Sequence, residues 1–531
     1  MGGSVATDHT WSFASVPAVF RFSPRPNQAH QIHWRAWGSA AFAEAIQQDK
    51  PIFLVISTVW SEASHLLDEK TLSEPSVIAI VNADFLPVRV DADLRPDVNQ
   101  RYNQNGWPSI VLLSAEGEVL WGGIYTSPQK LLYCLGHMRR YYSEHRQDIA
   151  EQAHHLLAQR QASVSPGATK QPFTTAERLT LLDIPRSTEQ VLRDLYDAEH
   201  GGFTLHPTLK FPHPEALEVL LHAHTPEALQ MVCYSLAQMR DGGLWDVEGG
   251  GFFHYATSED WSLPHTAKML DENAALLRVI AMLAAQTQDQ QWFALARQLI
   301  EAMQEIFWQP QTGAFSGSQC ADEGYYEPGQ YSRASRVAPP VDEAIYTAWN
   351  ARAISAYLLA ATVLDDAQVG MIALGALDYL CTNLTHPQGG MFHVAQGEHV
   401  ALPGQLADQV WMTQALLDGY AFSGQERYLN AAIAVMHYTL HVLFDTQSGL
   451  FYDAPDDPMA LGRLVIREQS LIENALAAGC LLRMAAYSKR QSLRATGLHI
   501  LVHCREMYRR TGIQGATYAS IVVQAIAQQW V

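Results

Sequence analysis

The 531-residue sequence is poor in cysteine, and none of its six cysteines has a second cysteine three residues away. No Cys/His cluster has the spacing of a zinc site, and no GxGxxG or P-loop motif indicates a nucleotide site. We therefore expect free thiols in a reducing cytoplasm, with no metal and no cofactor.

Long apolar runs and basic clusters are also missing. No stretch of about 18 apolar residues is present, and Met1–Phe20 lacks the apolar centre of a secretory signal. The net charge is −19 without any Lys/Arg-rich run, so the surface repels phosphate backbones and anionic lipids. The content of 48% hydrophobic and 17% charged residues is typical of a globular protein. Neither nucleic acid nor membrane is an expected partner.

A glycine-rich phrase that ends in an apolar anchor is repeated along the last two thirds of the chain. Its five copies are Tyr196–Phe203, Trp245–Phe252, Phe307–Phe315, Pro387–Phe392 and Phe444–Phe451. Successive copies are roughly 49 to 77 residues apart, which leaves room for a pair of helices in each unit. Helical hairpins closed into a ring enclose a central cleft, where a ligand site is expected.

The first part of the chain alternates helix and strand signals over residues 34–140. The apolar run Ile52–Ile56 predicts a buried strand, a helix is expected from about Ser61, and Phe85–Asp91 predicts a second strand. Gly106–Pro108 then precedes a predicted hairpin. This order is that of thioredoxin, in which the proline before the hairpin, here Pro108, is cis.

The thioredoxin chemistry is absent from this expected shape. Ser61 and Ser64 stand at the spacing of the two redox cysteines, followed by His65. A serine hydroxyl forms no reversible sulfur bond, so we predict a degenerate redox site made of Ser61, Ser64, His65 and Pro108. A hydrolytic role for Ser61 and His65 lacks the surrounding GxSxG motif, which favours a helix-capping serine instead.

These residues resemble the spermatogenesis-associated, thioredoxin-like family over nearly the whole chain. Members of that family carry Cys-x-x-Cys-His where this chain has Ser61–His65. The shared segments are Arg95–Val98, Gly106–Pro108, Lys210–Pro214, Gly249–Phe252, Trp261, Pro264–His265, Lys268–Leu270 and Asn273–Ala274. The resemblance implies a second domain similar to N-acylglucosamine 2-epimerases and six-hairpin glycosidases. This chain departs from the family by losing acidic residues, with Thr266–Ala267 and Cys320 in their places.

The predicted fold class is multidomain α/β plus α. A thioredoxin-like domain at residues 1–160 is followed by a linker at 161–175 and an (α/α)6 toroid at 176–531. The linker assignment depends on Ser163, Ser165, Pro166 and Gly167.

Polar residues cluster in and after the glycine-rich turns, which a ring would bring to one mouth. His254 and His265 form a candidate acid–base pair for an epimerase or isomerase. Glu272 with Asp342 or Asp408 forms a candidate carboxylate pair for a glycosidase. His265 and Glu272 would share one helix face if the helix were continuous.

The candidate substrate-binding residues are Asp246, Trp261, Lys268, Asn273, Trp349, Asn350 and Trp411. Each of these residues is also open to a simpler interpretation, in which it caps a helix or ties down a loop.

Two functions remain open at this point. The first is a toroid that binds or converts a carbohydrate, as a sugar isomerase, epimerase or hydrolase but not an oxidoreductase, with a protein partner possible at the redox-inactive domain. The second is a non-enzymatic interaction protein in which both sites have degenerated. Lost cysteines and carboxylates favour the second function, whereas the Trp, His and acidic residues at the mouth favour the first.

Overall fold

The structure is a computed structural model that describes residues 20–162, 175–327 and 333–531. Most of the predicted linker at 161–175 lies outside the described residues, and the domain boundaries stay predictions. Among these residues, no helix combines the length and the apolar character needed to cross a bilayer.

The first domain has the predicted thioredoxin-like order of helices and strands. Its elements are α1 (Ser39–Gln48), β1 (Ile52–Ser57), α2 (Glu62–Leu66), α3 (Pro75–Asp84), β2 (Leu86–Asp91), α4 (Pro96–Tyr102), β3 (Ser109–Leu113), β4 (Val119–Gly123), α5 (Pro128–Glu144) and α6 (Arg146–Ala162). The sheet order is β2-β1-β3-β4, with β1 parallel to β2 and antiparallel to β3. Side chains of β1 alternate between two cores: Ile52, Leu54 and Ile56 lie in one, and Phe53 and Val55 in the other. The Trp107–Pro108 bond is cis, as expected for this fold.

The second domain is a ring of helical hairpins. Its helices are α7 (Thr175–Leu195), α8 (Pro214–Ala223), α9 (Pro226–Gly242), α10 (Leu270–Thr287), α11 (Gln290–Phe307), α12 (Glu323–Tyr326), α13 (Thr347–Leu364), α14 (Ala367–Asn383), α15 (Leu406–Ser423), α16 (Glu426–Val442), α17 (Leu471–Ser488), α18 (Gln491–Tyr508) and α19 (Ala516–Ala527). The inner helices are α8, α10, α13, α15, α17 and α19. Each inner helix contacts the next, and α19 contacts α8, which closes the (α/α)6 toroid.

Short strands line the loops at one end of the ring. They are β5 (Tyr255–Ala256), β6 (Pro264–His265), β7 (Lys268–Met269), β8 (Trp308–Gln309), β9 (Ala314–Phe315), β10 (Ser318–Gln319), β11 (Val341–Asp342), β12 (Ile345–Tyr346), β13 (Phe392–Gln396) and β14 (His399–Pro403). These loops connect the glycine-rich turns to the N-termini of inner helices, so they build the mouth of the toroid.

All five glycine-rich phrases form the same turn. An antiparallel bridge closes each one, at Tyr196–Phe203, Trp245–Phe252, Trp308–Phe315, Thr385–Met391 and Phe444–Phe451. In the second copy Gly250 and Gly251 have φ values of 69° and 81°, a conformation that favours glycine. In the fourth copy the bridging residue is Met391 and not Phe392.

Four inner helices carry an amide side chain that holds the preceding turn. Near the helix N-terminus, this amide accepts from the backbone N–H and donates to the backbone C=O of the residue that ends the turn. The pairs are Asn273 with Phe252, Asn350 with Phe315, Gln409 with Met391, and Asn474 with Phe451, at distances of 2.7–3.1 Å. This amide clamp satisfies buried backbone groups that the turn leaves unpaired.

Candidate functional site at the mouth of the toroid

His254 and Glu272 form the central pair of the mouth. Nδ1 of His254 lies 2.8 Å and 2.7 Å from the two carboxylate oxygens of Glu272, which projects from the first turn of α10. Burial opposes the charged imidazole, but the Glu272 carboxylate outweighs it and raises the pKa of His254. Because a carboxylate accepts, the contact places a proton on Nδ1 and leaves Nε2 for other chemistry.

His265 lies beside this pair, in a different environment. His265 and Glu272 do not lie on one continuous helix, so they share no helix face: His265 belongs to β6, which pairs with β5, and α10 begins only at Leu270. The His265 ring lies 6.0 Å from that of His254 and stacks on Tyr255 at 4.9 Å. Its Nδ1 is buried without a hydrogen-bond partner, and burial, followed by the His254 charge, lowers the pKa of His265 to about 3.

The loop of the first domain that the sequence predicts to be a degenerate redox site covers both histidines. The Trp60 ring lies 5.0 Å from His254 and 6.1 Å from His265, edge to face in both cases. The Sγ atom of Cys320 donates to the Val59 carbonyl at 3.0 Å, and the Ala321 N–H donates to the Trp60 carbonyl at 3.0 Å. The place where a thioredoxin would meet its substrate is therefore occupied by the toroid of the same chain.

The serines of this loop have structural contacts. Ser61 caps α2 by accepting from the Ser64 N–H at 3.4 Å, as the sequence indicated. Ser61, Ser64 and His65 are only 4%, 2% and 4% exposed. Nε2 of His65 lies 2.7 Å from the Val59 carbonyl, and burial lowers the pKa of its imidazole.

Asp342 is part of the contact between the domains. It lies in β11, and its Oδ1 accepts from Arg21 at 2.6 Å. Arg21 also bonds to Asp91 of β2 at 2.7 Å, so one guanidinium joins a carboxylate from each domain. The Tyr346 hydroxyl donates to Asp342 at 2.8 Å. Burial, which Arg21 opposes, raises the pKa of Asp342.

Asp408 is fully buried behind the mouth. Its two oxygens accept from the Ala348 N–H at 3.0 Å and contact Nδ1 of His393 at 2.9 Å. The two carboxylates considered as glycosidase partners of Glu272, Asp342 and Asp408, are thus engaged in protein contacts.

Three predicted substrate-binding residues hold the first two glycine-rich turns, Asp246 and Lys268 the second turn and Trp261 the first. Lys268 is buried and donates to Asp246 at 2.7 Å and to the Gly250 carbonyl at 2.7 Å. Trp261 is also buried, has φ 66°, and donates to the His200 carbonyl at 2.9 Å. A substrate contact for Asp246, Trp261 and Lys268 stays a prediction.

The predicted amides and aromatic residues separate into two groups. Asn273 and Asn350 are members of the amide clamp, with their polar atoms bonded to backbone groups. Trp349 packs on Tyr346 at 4.6 Å, in the apolar cluster that includes Trp60. Trp411, by contrast, lies beneath a guanidinium inside the ring, 5.2 Å from Cζ of Arg352.

Arg352 is the centre of a polar group that sequence reasoning missed. It pairs with Glu215 of α8 and lies 3.8 Å from Asp271 of α10. Helices α8 and α13 are not neighbours in the ring, so the Arg352–Glu215 pair crosses its interior. The side chains of Arg352, Glu215 and Asp271 are 20%, 36% and 24% exposed, so solvent reaches this group. The sequence did contain one signal for this group, since Arg352 is a lone arginine in the alanine-rich helix α13.

The Arg352 group and the His254–Glu272 pair are connected at the start of α10. Asp271 and Glu272 are adjacent, and burial together with the Glu272 charge raises the pKa of Asp271 to about 6. Within residues 20–162, 175–327 and 333–531, no group of three or more His, Cys, Asp or Glu side chains is arranged to hold a metal ion.

Comparison with known proteins agrees with this architecture. Residues 24–161 match the thioredoxin DsbH family model, described as a protein of unknown function, DUF255. Spermatogenesis-associated protein 20 of Homo sapiens is 30% identical over 271 residues, which cover 46% of this chain and 33% of that protein. The mouse protein of the same name is 28% identical over 314 residues, covering 55% of this chain and 39% of that protein. The resemblance seen in the sequence is confirmed. The chain spans about a third of the length of the curated relatives it matches.

Solved structures share the toroid. A sugar epimerase from a ruminal bacterium matches with a TM-score of 0.54 and 12% identity, over 66% of this chain and 99% of that chain. Cellobiose 2-epimerase from Bacillus thermoamylovorans matches with a TM-score of 0.55 and 11% identity, over 67% and 100% of the two chains. A D-mannose isomerase matches with a TM-score of 0.52 and 12% identity, over 63% and 88%. At such identities the likeness shows the fold alone.

Proposed function

We propose that the toroid binds a carbohydrate and moves a proton next to its carbonyl group, as a sugar isomerase or 2-epimerase in the cytoplasm. One observation carries this proposal: the His254–Glu272 pair lies beside His265, whose pKa is lowered by burial, with the two imidazole centroids 6.0 Å apart. An imidazole whose Nδ1–H is held by a carboxylate is a general base at Nε2. A neutral imidazole beside it donates a hydrogen bond to a carbonyl oxygen.

In this proposal His254, Glu272 and His265 each have a separate role in the proton transfer. Nε2 of His254 accepts the proton from the carbon next to the carbonyl, and Glu272 stabilises the imidazolium that forms. His265 donates a hydrogen bond to the oxygen of the resulting enediolate. Return of the proton from the His254 imidazolium to the neighbouring carbon, while His265 relays the hydroxyl proton from one oxygen to the other, gives the isomer. The epimer forms when the enediolate turns its other face to His254 before the proton returns to the same carbon.

A carbohydrate fits the rest of the mouth. Trp411 offers an aromatic face, while Arg352, Glu215 and Asp271 offer donors and acceptors to hydroxyl groups. The sugar epimerase and isomerase neighbours share this toroid, which supports the same ligand class. Glycoside hydrolysis is less well supported because Asp342 and Asp408 are tied to Arg21 and His393.

The test combines ligand binding with hydrogen exchange. A ligand that binds the native state raises the melting temperature, so we would screen D-mannose, D-glucose, N-acetyl-D-glucosamine and cellobiose at millimolar concentration. A sugar that binds should exchange its C2 hydrogen in D2O, as seen by proton NMR. His265→Ala should abolish both signals, while His437→Ala, on the exposed face of outer helix α16, should abolish neither.

The non-enzymatic alternative is favoured by one observation, the cover that Trp60 places over both histidines. A protein partner at the first domain stays a prediction. The loop at which a thioredoxin would bind such a partner contacts the toroid in this chain. No melting shift and no exchange with any sugar of the panel would support this alternative and refute the isomerase.

A further inference from the structure

The loop around Trp60 lies between the two domains at the most polar part of the mouth. Trp60 is 5% exposed and packs against Ala267, Met269 and Ala321 of the toroid and against Trp107 of its own domain. Its ring edges meet His254 and His265 from the side of the first domain. The two imidazoles therefore have an aromatic wall that the toroid itself does not supply.

This wall is fixed from both sides. Nε1 of Trp60 donates to Asp93 at 3.0 Å within its own domain. The Trp60 carbonyl accepts from the Ala321 N–H, and the Val59 carbonyl accepts from Cys320 across the interface. A side chain that is anchored at its ring nitrogen and along its backbone is held in one position, as a wall of a site requires.

Titratable groups face His265 from both domains. His254 with its partner Glu272 faces it from the toroid, and His65 with Glu62 lies on the side of the first domain. Positive charge on either neighbouring imidazole and the exclusion of water act in the same direction, since both disfavour a charged His265.

We propose that the thioredoxin-like domain forms one wall of the toroid's ligand site, in which Trp60 positions the imidazoles of His254 and His265 and keeps water away from them. The loop that lost its redox cysteines has in this way become part of a second site. The identity of that ligand rests on the proposed function, whereas the wall can be tested without it.

Chemical modification of the histidines tests the wall in the full-length chain. Diethyl pyrocarbonate reacts with neutral, accessible imidazole, and peptide mass spectrometry assigns each modified residue. In the wild-type protein His265 should react slowly, with a rate that is flat between pH 5 and 8. In Trp60→Ala the rate should rise at least tenfold, and it should acquire a pH dependence with a midpoint nearer the ordinary histidine value of about 6.5.

Three variants make the result specific. Trp121→Ala removes a tryptophan that packs in the core of the first domain itself, and it should leave the His265 rate unchanged. Trp60→Phe keeps an aromatic ring and should remain within about threefold of wild type. Trp60→Leu preserves bulk in case alanine unfolds the protein, and it should give an intermediate rate with a shifted pH profile.

The outcomes separate the wall from the proposed function. An unchanged rate and a flat pH profile in folded Trp60→Ala and Trp60→Leu would refute the wall, whatever the ligand is. Faster reaction in these variants, with no protection of His254 or His265 by any sugar of the panel, would keep the wall and refute the carbohydrate. Faster reaction together with sugar protection of the wild-type histidines would support both.

Discussion

The imidazole of His393 joins the two domains through its two nitrogens. Nε2 lies 2.8 Å from the carbonyl oxygen of Asp93 in the first domain, and Nδ1 lies 2.9 Å from the Asp408 carboxylate in the toroid. Burial opposes the charged ring, but Asp408 raises the pKa of His393 above its ordinary value. A doubly protonated ring donates to both partners, so the interface should depend on pH.

The first prediction is that the interface weakens as the pH rises from 6 to 9. Burial, with the Asp91 charge, raises the pKa of Asp93 well above its ordinary value, and the pKa of His393 is raised too. Groups with raised pKa values bind protons more tightly in the folded state. Their contribution to stability is therefore present at low pH and is lost as the pH rises through the folded values. Urea unfolding at pH 6, 7.5 and 9 measures this loss.

A variant assigns the effect to the interface. Asp93→Asn keeps an oxygen that accepts from Trp60 but cannot titrate. The change in unfolding free energy with pH should therefore be smaller, by roughly 1.4 kcal/mol for each unit by which the fold raises the pKa of Asp93. Asp456→Asn, at an exposed position, should leave the slope as it is in the wild type. Equal slopes in the wild type and Asp93→Asn would contradict this prediction.

The second prediction concerns the amide clamp. Asn350→Ala removes the partners of the Phe315 N–H and C=O and of the Tyr346 C=O, all of them buried. The free energy of unfolding should fall by roughly 2–4 kcal/mol, since each unsatisfied buried group costs about 1–3 kcal/mol. Asn383→Ala, exposed on outer helix α14, should cost little. A loss of sugar affinity in Asn350→Ala at unchanged stability would instead support the predicted substrate contact.

The third prediction is a shift of the pH profile when Glu272 is neutralised. Glu272→Gln removes the charge that raises the pKa of His254 against burial, so this pKa should fall. Because His254 acts as a base, the acidic limb of kcat/KM should move to lower pH, while kcat drops roughly 10²- to 10⁴-fold. Titration of the His254 ring by 15N NMR gives the same shift without substrate. Glu301→Gln, on outer helix α11, is the matched control, and an unshifted titration in Glu272→Gln would rule out this role.

The fourth prediction is that restored cysteines do not restore redox activity. The double variant Ser61→Cys, Ser64→Cys should reduce insulin at the uncatalysed rate, because Cys320 and Ala321 hold the loop against the toroid. The introduced thiols should also react slowly with a disulfide reagent in native protein and rapidly in urea. Efficient insulin reduction by the double variant would show that the two domains separate in solution.

The repeated turns were the strongest signal in the sequence, because a turn with left-handed backbone angles and an apolar anchor requires glycine and a large apolar residue at fixed positions. The polar residues after the turns were harder to interpret. Their position at the mouth follows from the repeat, but Asn273 and Asn350 bond to the turn itself. A turn with buried backbone groups needs such partners, and the amide serves as well for this purpose as for a substrate.

The axial residues could not be found from sequence because ring closure brings them together. Glu215 and Arg352 are on helices separated by a third inner helix, and periodicity gives a helix face without saying what lies opposite. The same limit applies to Trp60. Its sequence position indicated the redox loop, and only the packing of the domains places it on His254 and His265.

The two domains also meet at a pair of glycines, which limits the side chains that fit at the junction. A Cβ atom on Gly117, which has φ 93°, would lie 2.7 Å from the Cα atom of Gly462. One on Gly462 would collide with the hydroxyl of Tyr102, which accepts a hydrogen bond from the Arg463 N–H at 2.8 Å. Neither glycine can acquire a side chain while the other domain stays in place. A toroid taken from another protein would fit this first domain only if it carried a glycine at the position of Gly462.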